Sequence, residues 1–200
     1  MNAQIDISNI ILDTDRLRLR AFKLSDLDDL YEYASVPGVG ELAGWSHHKD
    51  KEESLRILNM FIDGRSTFAI CYQDKVIGSI GIDRYGMEDK LSEFYDYQGR
   101  ELGFVLSKDY WGKGLMLEAL QAVINYLFND LNLDFLLCGH FITNNRSKRV
   151  QEKLGFKPYR RLTIETIMGT KEEDILNILI NPNKDIKFNF SHLETLIFNN

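Results

Sequence analysis

No stretch of this 200-residue chain is long and apolar enough for a membrane span, which needs ~20 residues. Residues Met1 to Ile10 carry neither a basic n-region nor an apolar h-region, so no secretory signal is visible and a cytoplasmic location is expected. Cysteine is scarce. Cys71 and Cys138 stand apart, without metal-ligand spacing, inside apolar strand-like runs (FAICY and FLLCGH), which predicts buried free thiols and no metal site. Basic charge is in short supply as well: Lys+Arg 24 against Asp+Glu 30 leave a net charge of −6, the wrong sign for a nucleic-acid partner. An acidic protein attracts cationic and amine substrates instead. The spacings GxxxxGK[ST] and GxGxxG are both missing, which disfavours a P-loop or dinucleotide-binding protein. Internal repeats and low-complexity segments are absent too.

What remains is the profile of a globular domain, 44% apolar and 27% charged, long enough for one continuous core. Arg16 to Phe22 alternates charged and apolar residues, as a half-exposed strand does. Ser25 with Asp28 has capping-box spacing and opens a helix to about Ala34; Asp50 with Glu53 opens another to about Ile62. Thr67–Gln73 and Lys75–Tyr85 read as a hairpin, Gly86 to Gly99 as a polar loop, and Glu101–Leu106 as a buried strand. After it, Leu117, Leu120, Ile124 and Leu127 recur at helical spacing. Asp134–Ile142 is a further strand. Asn144-Asn145 caps a short helix ending at Gly155, and Arg161–Met168 and Ile175–Asn181 are closing strands. The tail, with Phe188, Phe190 and Leu196-Ile197-Phe198, reads as a strand-like segment plus helical turns folded onto the domain.

The most informative stretch is Tyr110-Trp111-Gly112-Lys113-Gly114-Leu115, where the strand hands over to the first turn of a helix. Such a turn aims unpaired backbone N–H groups outward at the positive end of the helix dipole, which makes an anion site and above all a phosphate site. On its own the glycine pair also suits a plain tight turn. A second signal lies further on, Asn144 to Phe156 (NNRSKRVQEKLGF).

The pairing of ELGFVL-x3-YWGKG-x3-EAL with TNNRSKRVQEKLGF resembles the GNAT superfamily of acetyl-CoA-dependent N-acetyltransferases, and within it the branch of ribosomal-protein N-terminal acetyltransferases of the RimJ/RimL type. The opening LDTDRLRLRAFKLSDLDDLYEYAS and the loop ending AGWSHHKDKEES fit the same branch. The resemblance implies an α/β (α+β) fold: a mixed, mostly antiparallel central sheet flanked by helices and splayed in the middle to admit acyl-CoA. It also implies a single domain over residues 1–182 with an extension, 183–200, packed on it. Backbone amides of Trp111, Gly112, Lys113, Gly114, Leu115 and Met116 would hold the CoA pyrophosphate, and Phe104, Val105 and Leu106 would bind pantetheine through their main chain. The family pattern Q/R-x-x-G-x-G/A meets Asp109 at its first position, a departure common in this branch.

Acetyl transfer needs a base to free the amine and an acid to protonate the leaving thiolate. Glu101, opening the buried strand, is the base candidate; the alternative is an ion pair with Arg100 or Arg84. Ser147 is the acid or thiol-orienting candidate and Asn144 a ligand of the pantetheine arm, with helix capping the alternative for both. A tyrosine acid, common elsewhere in the superfamily, is replaced here by Gln151. Trp45, His47 and His48 lie in the loop between the first helices, the region that shapes the acceptor pocket in this branch. With Glu101, Trp45 and His47 are the substrate-binding candidates, against a reading as plain exposed loop residues; His140 reads as structural. The expected reaction is transfer of acetyl from acetyl-CoA, without a metal, to a primary amine on a protein N-terminus or a small molecule, in a ternary complex formed by a monomer or homodimer. The alternative is a non-catalytic acyl-CoA-binding sensor.

Overall fold

The computed structural model describes residues 1–86 and 94–186. Its strands are β1 (Ile11–Asp13), β2 (Arg18–Ala21), β3 (Thr67–Tyr72), β4 (Lys75–Asp83), β5 (Gly99–Leu106), β6 (Phe135–Phe141), β7 (Lys157–Glu165) and β8 (Lys171–Ile180). Its α-helices are α1 (Leu27–Ala34), α2 (Lys51–Gly64), α3 (Leu115–Asn125) and α4 (Asn145–Lys153). Hydrogen-bonded strands follow the order β1-β2-β3-β4-β5-β6-β8-β7. The mixed α/β expectation holds: every registered pairing is antiparallel except β5 with β6, which is parallel. The chain divides into two compact units. The first holds residues 4–83 and 103–124; the second holds 1–3, 84–102 and 125–200. Strand β5 therefore begins in the second unit and ends in the first.

In the first unit, β2 alternates as its sequence demands, with Leu19 fully buried between the arginines at 18 and 20. Its partner β1 pairs Leu12 with Leu19; this strand was not expected, because so short a segment carries no readable alternation. The start of α1 differs from the capping box read at Ser25. Asp26 is the organising residue: it accepts from the Lys23 N–H at 2.8 Å and pairs with Arg20 at 2.7 Å. The expected cap of α2 is present, with Asp50 accepting from the Glu53 N–H at 2.8 Å and Glu53 reaching back to the Lys49 N–H at 2.9 Å. Gln73 (φ 49°) and Asp74 (φ 66°) both turn left-handed between β3 and β4, the requirement of a tight two-residue hairpin. Phe22, Leu30, Tyr33, Leu58, Ala69, Cys71 and Val76 form this unit's core.

Helix α3 begins at Leu115 and ends in a π-helical turn over Tyr126–Asp130. Leu120, Ile124 and Leu127 are buried as expected, but Leu117 is only half-buried; Ala119 and Val123 complete the apolar face in its place.

In the second unit, β6 pairs along its whole length with β8, and β8 with β7. Strands β7 and β8 start earlier than expected, at Lys157 and Lys171, because the tight turn between them sits at Thr166–Thr170, where the Thr166 N–H donates to the Thr170 carbonyl at 2.8 Å. Charged residues at both strand starts hide this boundary from a hydrophobicity pattern. The core is aromatic, with Phe94 stacked on Phe135 (4.2 Å between centroids) and packed with Tyr85, Leu137, Tyr159, Leu176 and Ile178. The parallel pairing of β5 with β6 is registered only for Gly99–Glu101, against Phe135–Leu137. Cys71 and Cys138 are both buried free thiols, as expected. The expected tail segment, Phe188 to Phe198, and most of the acidic loop lie outside the described residues. No described helix is long and apolar enough to cross a membrane.

Candidate active site

The glycine turn of the first unit is built as its sequence implies. After β5, Lys108–Tyr110 forms one 3-10 turn. The Trp111 indole then donates to the Leu106 carbonyl at 2.8 Å, tying the loop back to the end of the strand. Gly112 (φ 75°) and Gly114 (φ 76°) are both left-handed, a conformation that costs other residues roughly 1–2 kcal/mol. From Gly112 through Leu117 the backbone N–H groups have no acceptor among the described residues; the Glu118 N–H, bonded to the Gly114 carbonyl at 3.1 Å, is the first that is satisfied. The Trp111 N–H is already taken by the Lys108 carbonyl at 3.1 Å, so the open run starts one residue later than expected. The Lys113 ammonium lies 5.1 Å from the centre of the Tyr110 ring. A row of outward N–H groups on the N-terminus of a helix suits a phosphate or pyrophosphate.

A clamp from the N-terminal hairpin holds this turn. Glu118 accepts from Thr14 Oγ1 at 2.6 Å, from the Arg16 N–H at 2.9 Å and from Arg16 Nε at 2.7 Å, while Arg16 Nη1 donates to the Lys113 carbonyl at 3.0 Å. Partial burial works against the Glu118 charge, but these bonds outweigh it and keep the carboxyl below its ordinary value. The last residues of β5, where the main chain of Phe104 to Leu106 was expected to serve as a binding edge, approach β4 closely at Gly78. A Cβ there would lie 2.4 Å from the Val105 carbonyl oxygen.

In the loop before α2, Trp45 packs on the core and lies over Gly40, where a Cβ would be 2.2 Å from the ring. His47 is an exposed partner of Glu41, at 2.8 Å from Nδ1 to Oε1. Burial opposes the Glu41 charge, yet bonds from His47 and the Gly38 N–H bring it down to about 2. His48 is buried, not exposed, against Ser54 Oγ at 2.7 Å.

In the second unit, the Asn144 side chain caps α4 by accepting from the Ser147 N–H at 3.1 Å. Ser147 Oγ accepts from Gln151 Nε2 at 3.0 Å, and Gln151 also donates to the Gly139 carbonyl at 3.0 Å. Asn177 Nδ2 donates to Gln151 Oε1 at 2.7 Å and contacts His140 Nδ1 at 2.9 Å. Burial, and then the Lys148 charge, hold the His140 pKa below the usual value, which favours the neutral ring. Gln151, Asn177 and His140 are all buried. The chain of bonds fixes Ser147 as an acceptor from inside, leaving its hydroxyl hydrogen to point elsewhere. Glu101 is half-buried on β5, opposite Leu137. The neighbouring Arg100 is buried and sends Nε to the Ala3 carbonyl at 2.7 Å.

A sequence pattern described as "Acetyltransferase (GNAT) domain" matches residues 16–157. The chain belongs to the GNAT acetyltransferase family. Among its relatives, an uncharacterized N-acetyltransferase of Bacillus licheniformis, p20, is 30% identical over 153 residues, 73% of this chain and 82% of p20. A GNAT-family acetyltransferase from Bacillus anthracis shares the fold with a TM-score of 0.73 at 22% identity, over 86% of this chain and 99% of its own. The ribosomal-protein-S5-alanine acetyltransferase of Vibrio fischeri does so with a TM-score of 0.64 at 20% identity, over 90% of this chain and 100% of its own.

In this GNAT acetyltransferase, the first unit brings together Phe104, Val105 and Leu106 with the turn from Trp111 to Met116, and the second brings Asn144 together with Ser147 through the cap. Sequence reasoning missed Arg16 and Glu118, whose pairing spans distant positions, and Glu41, whose bonds go to loop backbone. It also missed Asn177 and Asp174, polar residues inside the apolar strand β8. For these last, the available signal was an uncharged or single-charged polar residue facing inward from a buried strand.

Proposed function

We propose that this acetyltransferase binds acetyl-CoA with the pyrophosphate on the backbone N–H groups from Gly112 to Met116 and the pantetheine along Phe104–Leu106, and transfers the acetyl group directly to a primary amine. The observation that carries the reading is the unpaired run of N–H groups on the two left-handed glycines, in a chain whose family uses acetyl-CoA. Asn144 serves the pantetheine arm. Ser147, held as an acceptor by Gln151, has its hydrogen available for the departing sulfur. Glu101 supplies a carboxylate for the amine, and the loop with Trp45 and His47 borders the acceptor.

The favoured acceptor is a protein N-terminal α-amine. Such an amine titrates near ~8 and is partly neutral at physiological pH, so it asks less of a base than a lysine-like amine near ~10.4. The Vibrio fischeri neighbour, named for a ribosomal protein, supports this choice.

Calorimetric titration with acetyl-CoA tests the donor half, and mass spectrometry of an amine panel (peptides with free N-termini, polyamines, amino acids) tests the acceptor half. A folded protein that binds no acetyl-CoA at millimolar concentration ends the reading. A gain of one acetyl group on small amines but not on peptides moves the acceptor.

A further inference from the structure

One peptide group of the first unit is gripped from both sides by opposite charges. It joins Pro37 to Gly38, in the loop between α1 and α2. The Lys108 ammonium donates to its carbonyl, the oxygen of Pro37. The Glu41 carboxylate accepts from its N–H, that of Gly38, at 2.6 Å. Gly38 is left-handed (φ 82°), and a Cβ there would lie 2.9 Å from Lys108 Nζ and 3.5 Å from Cε. The lysine therefore crosses the loop where a glycine leaves it room.

Both charges reach further. Lys108 opens the turn that follows β5, and its ammonium stands 5.8 Å from the centre of the Trp111 ring. Trp111 in turn donates to the Leu106 carbonyl at the end of β5. Glu41 carries the grip to the far end of the loop through its other oxygen, which His47 meets with its N–H at 3.3 Å and with Nδ1 at 2.8 Å. Burial opposes the Glu41 charge, but the bonds from His47 and Gly38 outweigh it, so the N–H is held by an anion. Val36 and Trp45 of the loop pack on the same core as Val105 and Trp111. The loop is thus seated against the end of β5. Lys108 is exposed, and an exposed ammonium adds little to stability. Its effect lies in where the loop stands, not in whether the chain folds.

We propose that Lys108 and Glu41 are positioning residues for the acceptor: by fixing the Pro37–Gly38 peptide, they set where Trp45 and His47 stand relative to the β5 edge. This rests on the amine-acetyltransferase reading, in which pantetheine runs along Phe104–Leu106 and the loop borders the acceptor, and it names what joins the two sides. Neither residue touches the reacting atoms. Lys108 acts through the Pro37 carbonyl and Glu41 through the Gly38 N–H. A turn of that one peptide breaks both bonds and shifts the acceptor's wall against the donor, a displacement to which group transfer is sensitive.

The test uses the full chain, acetyl-CoA and the amine of the panel that is acetylated fastest. Wild-type turnover comes first: if no amine is acetylated, the underlying reading falls and this one with it. Lys108→Met keeps the side-chain length and removes the cationic donor. It is expected to raise the amine KM about tenfold, with kcat within about threefold and with melting temperature and acetyl-CoA Kd unchanged. Lys108→Arg, which keeps a cationic donor, is expected to recover most of that loss. Glu41→Gln is expected to raise the same KM, and the double variant to fall short of the product of the single effects, because both residues hold one peptide. With wild type active, a Lys108→Met enzyme whose amine KM stays within about twofold of wild type overturns the proposal. Equal losses in Lys108→Met and Lys108→Arg overturn it too, as does a loss of acetyl-CoA affinity that matches the KM rise, or a double variant that shows the full product. If Glu41→Gln fails to fold, the two Lys108 variants decide alone.

Discussion

The Gln151 amide gives a hydrogen to Ser147 Oγ at 3.0 Å along one face of α4. With its oxygen occupied in this way, the serine can donate only outward. Ser147→Ala is therefore expected to lower kcat by about 10²-fold with little change in melting temperature. Gln151→Leu cuts the same bond and strands Asn177 and the Gly139 carbonyl in a buried place, for a loss on the order of 1–3 kcal/mol in stability as well. Steady-state kinetics and thermal unfolding of the two variants separate these effects. Equal melting losses in both would show that Ser147 serves only to support the helix.

Gly112 and Gly114 turn left-handed where the open N–H row begins, and Gly169, also left-handed (φ 77°), turns between β7 and β8. Alanine at any of the three carries the same backbone strain, roughly 1–2 kcal/mol. Only Gly112→Ala and Gly114→Ala should weaken acetyl-CoA binding, by about tenfold or more, because they disturb the N–H row. Calorimetry with all three variants checks this. Comparable weakening in Gly169→Ala would mean that the strain acts globally.

The buried Asp174 carboxyl also makes a prediction about stability alone. Burial lifts its folded pKa to about 6, above the ordinary 3.8. The folded protein therefore binds the proton more tightly, and the contribution of Asp174 to stability is full below the unfolded pKa and lost as pH rises through the folded one. Asp174→Asn should gain stability relative to wild type at pH 7, on the order of 2 kcal/mol. The gap should close on acidification toward pH 4. Urea midpoints of both proteins across this range give the answer, and a gap that widens in acid would contradict it.

His48 and His140 run the other way. Burial depresses both below the ordinary 6.5, so each favours the neutral form in the fold. Their stabilising contribution is complete above 6.5 and declines as pH falls from there toward the depressed folded values. Replacing each with Gln, which keeps a hydrogen-bonding group near Ser54 or Asn177, should flatten the stability profile of the protein between about pH 7 and 5. Chemical denaturation of the double variant at several pH values measures it. An unchanged slope would show that these rings titrate freely.

Much of the architecture was legible because it is local. The hairpin at Gln73-Asp74, the caps at Asp50 and Asn144, the glycine turn and the end of α4 at Gly155 all follow from residue types at fixed short spacing. What stayed hidden depends on pairing across the chain. Strand β1 is too short for a pattern, and Asp26 organises α1 through Arg20 rather than through the Ser25 spacing. In the site, the resemblance pointed to Ser147 and Asn144, but the buried support under Ser147 comes from Asn177 and His140 on other strands. Asp174 escaped notice for the same reason. Among several acidic residues opening β8, nothing in sequence distinguishes the one that faces a glycine on the neighbouring strand.

The clamp of Arg16 on Glu118 and the Lys113 carbonyl ties the β1–β2 hairpin to a turn nearly a hundred positions later. Cleavage after Arg16, or a bulky fusion that pulls β1 away, would touch no atom of the N–H row. The enzyme would nevertheless hold its donor loosely, with a rise in the acetyl-CoA KM that added salt would mimic in the intact protein. Donor affinity is thus expected to depend in part on this hairpin, and proteolysis there is expected to act as a throttle on the reaction.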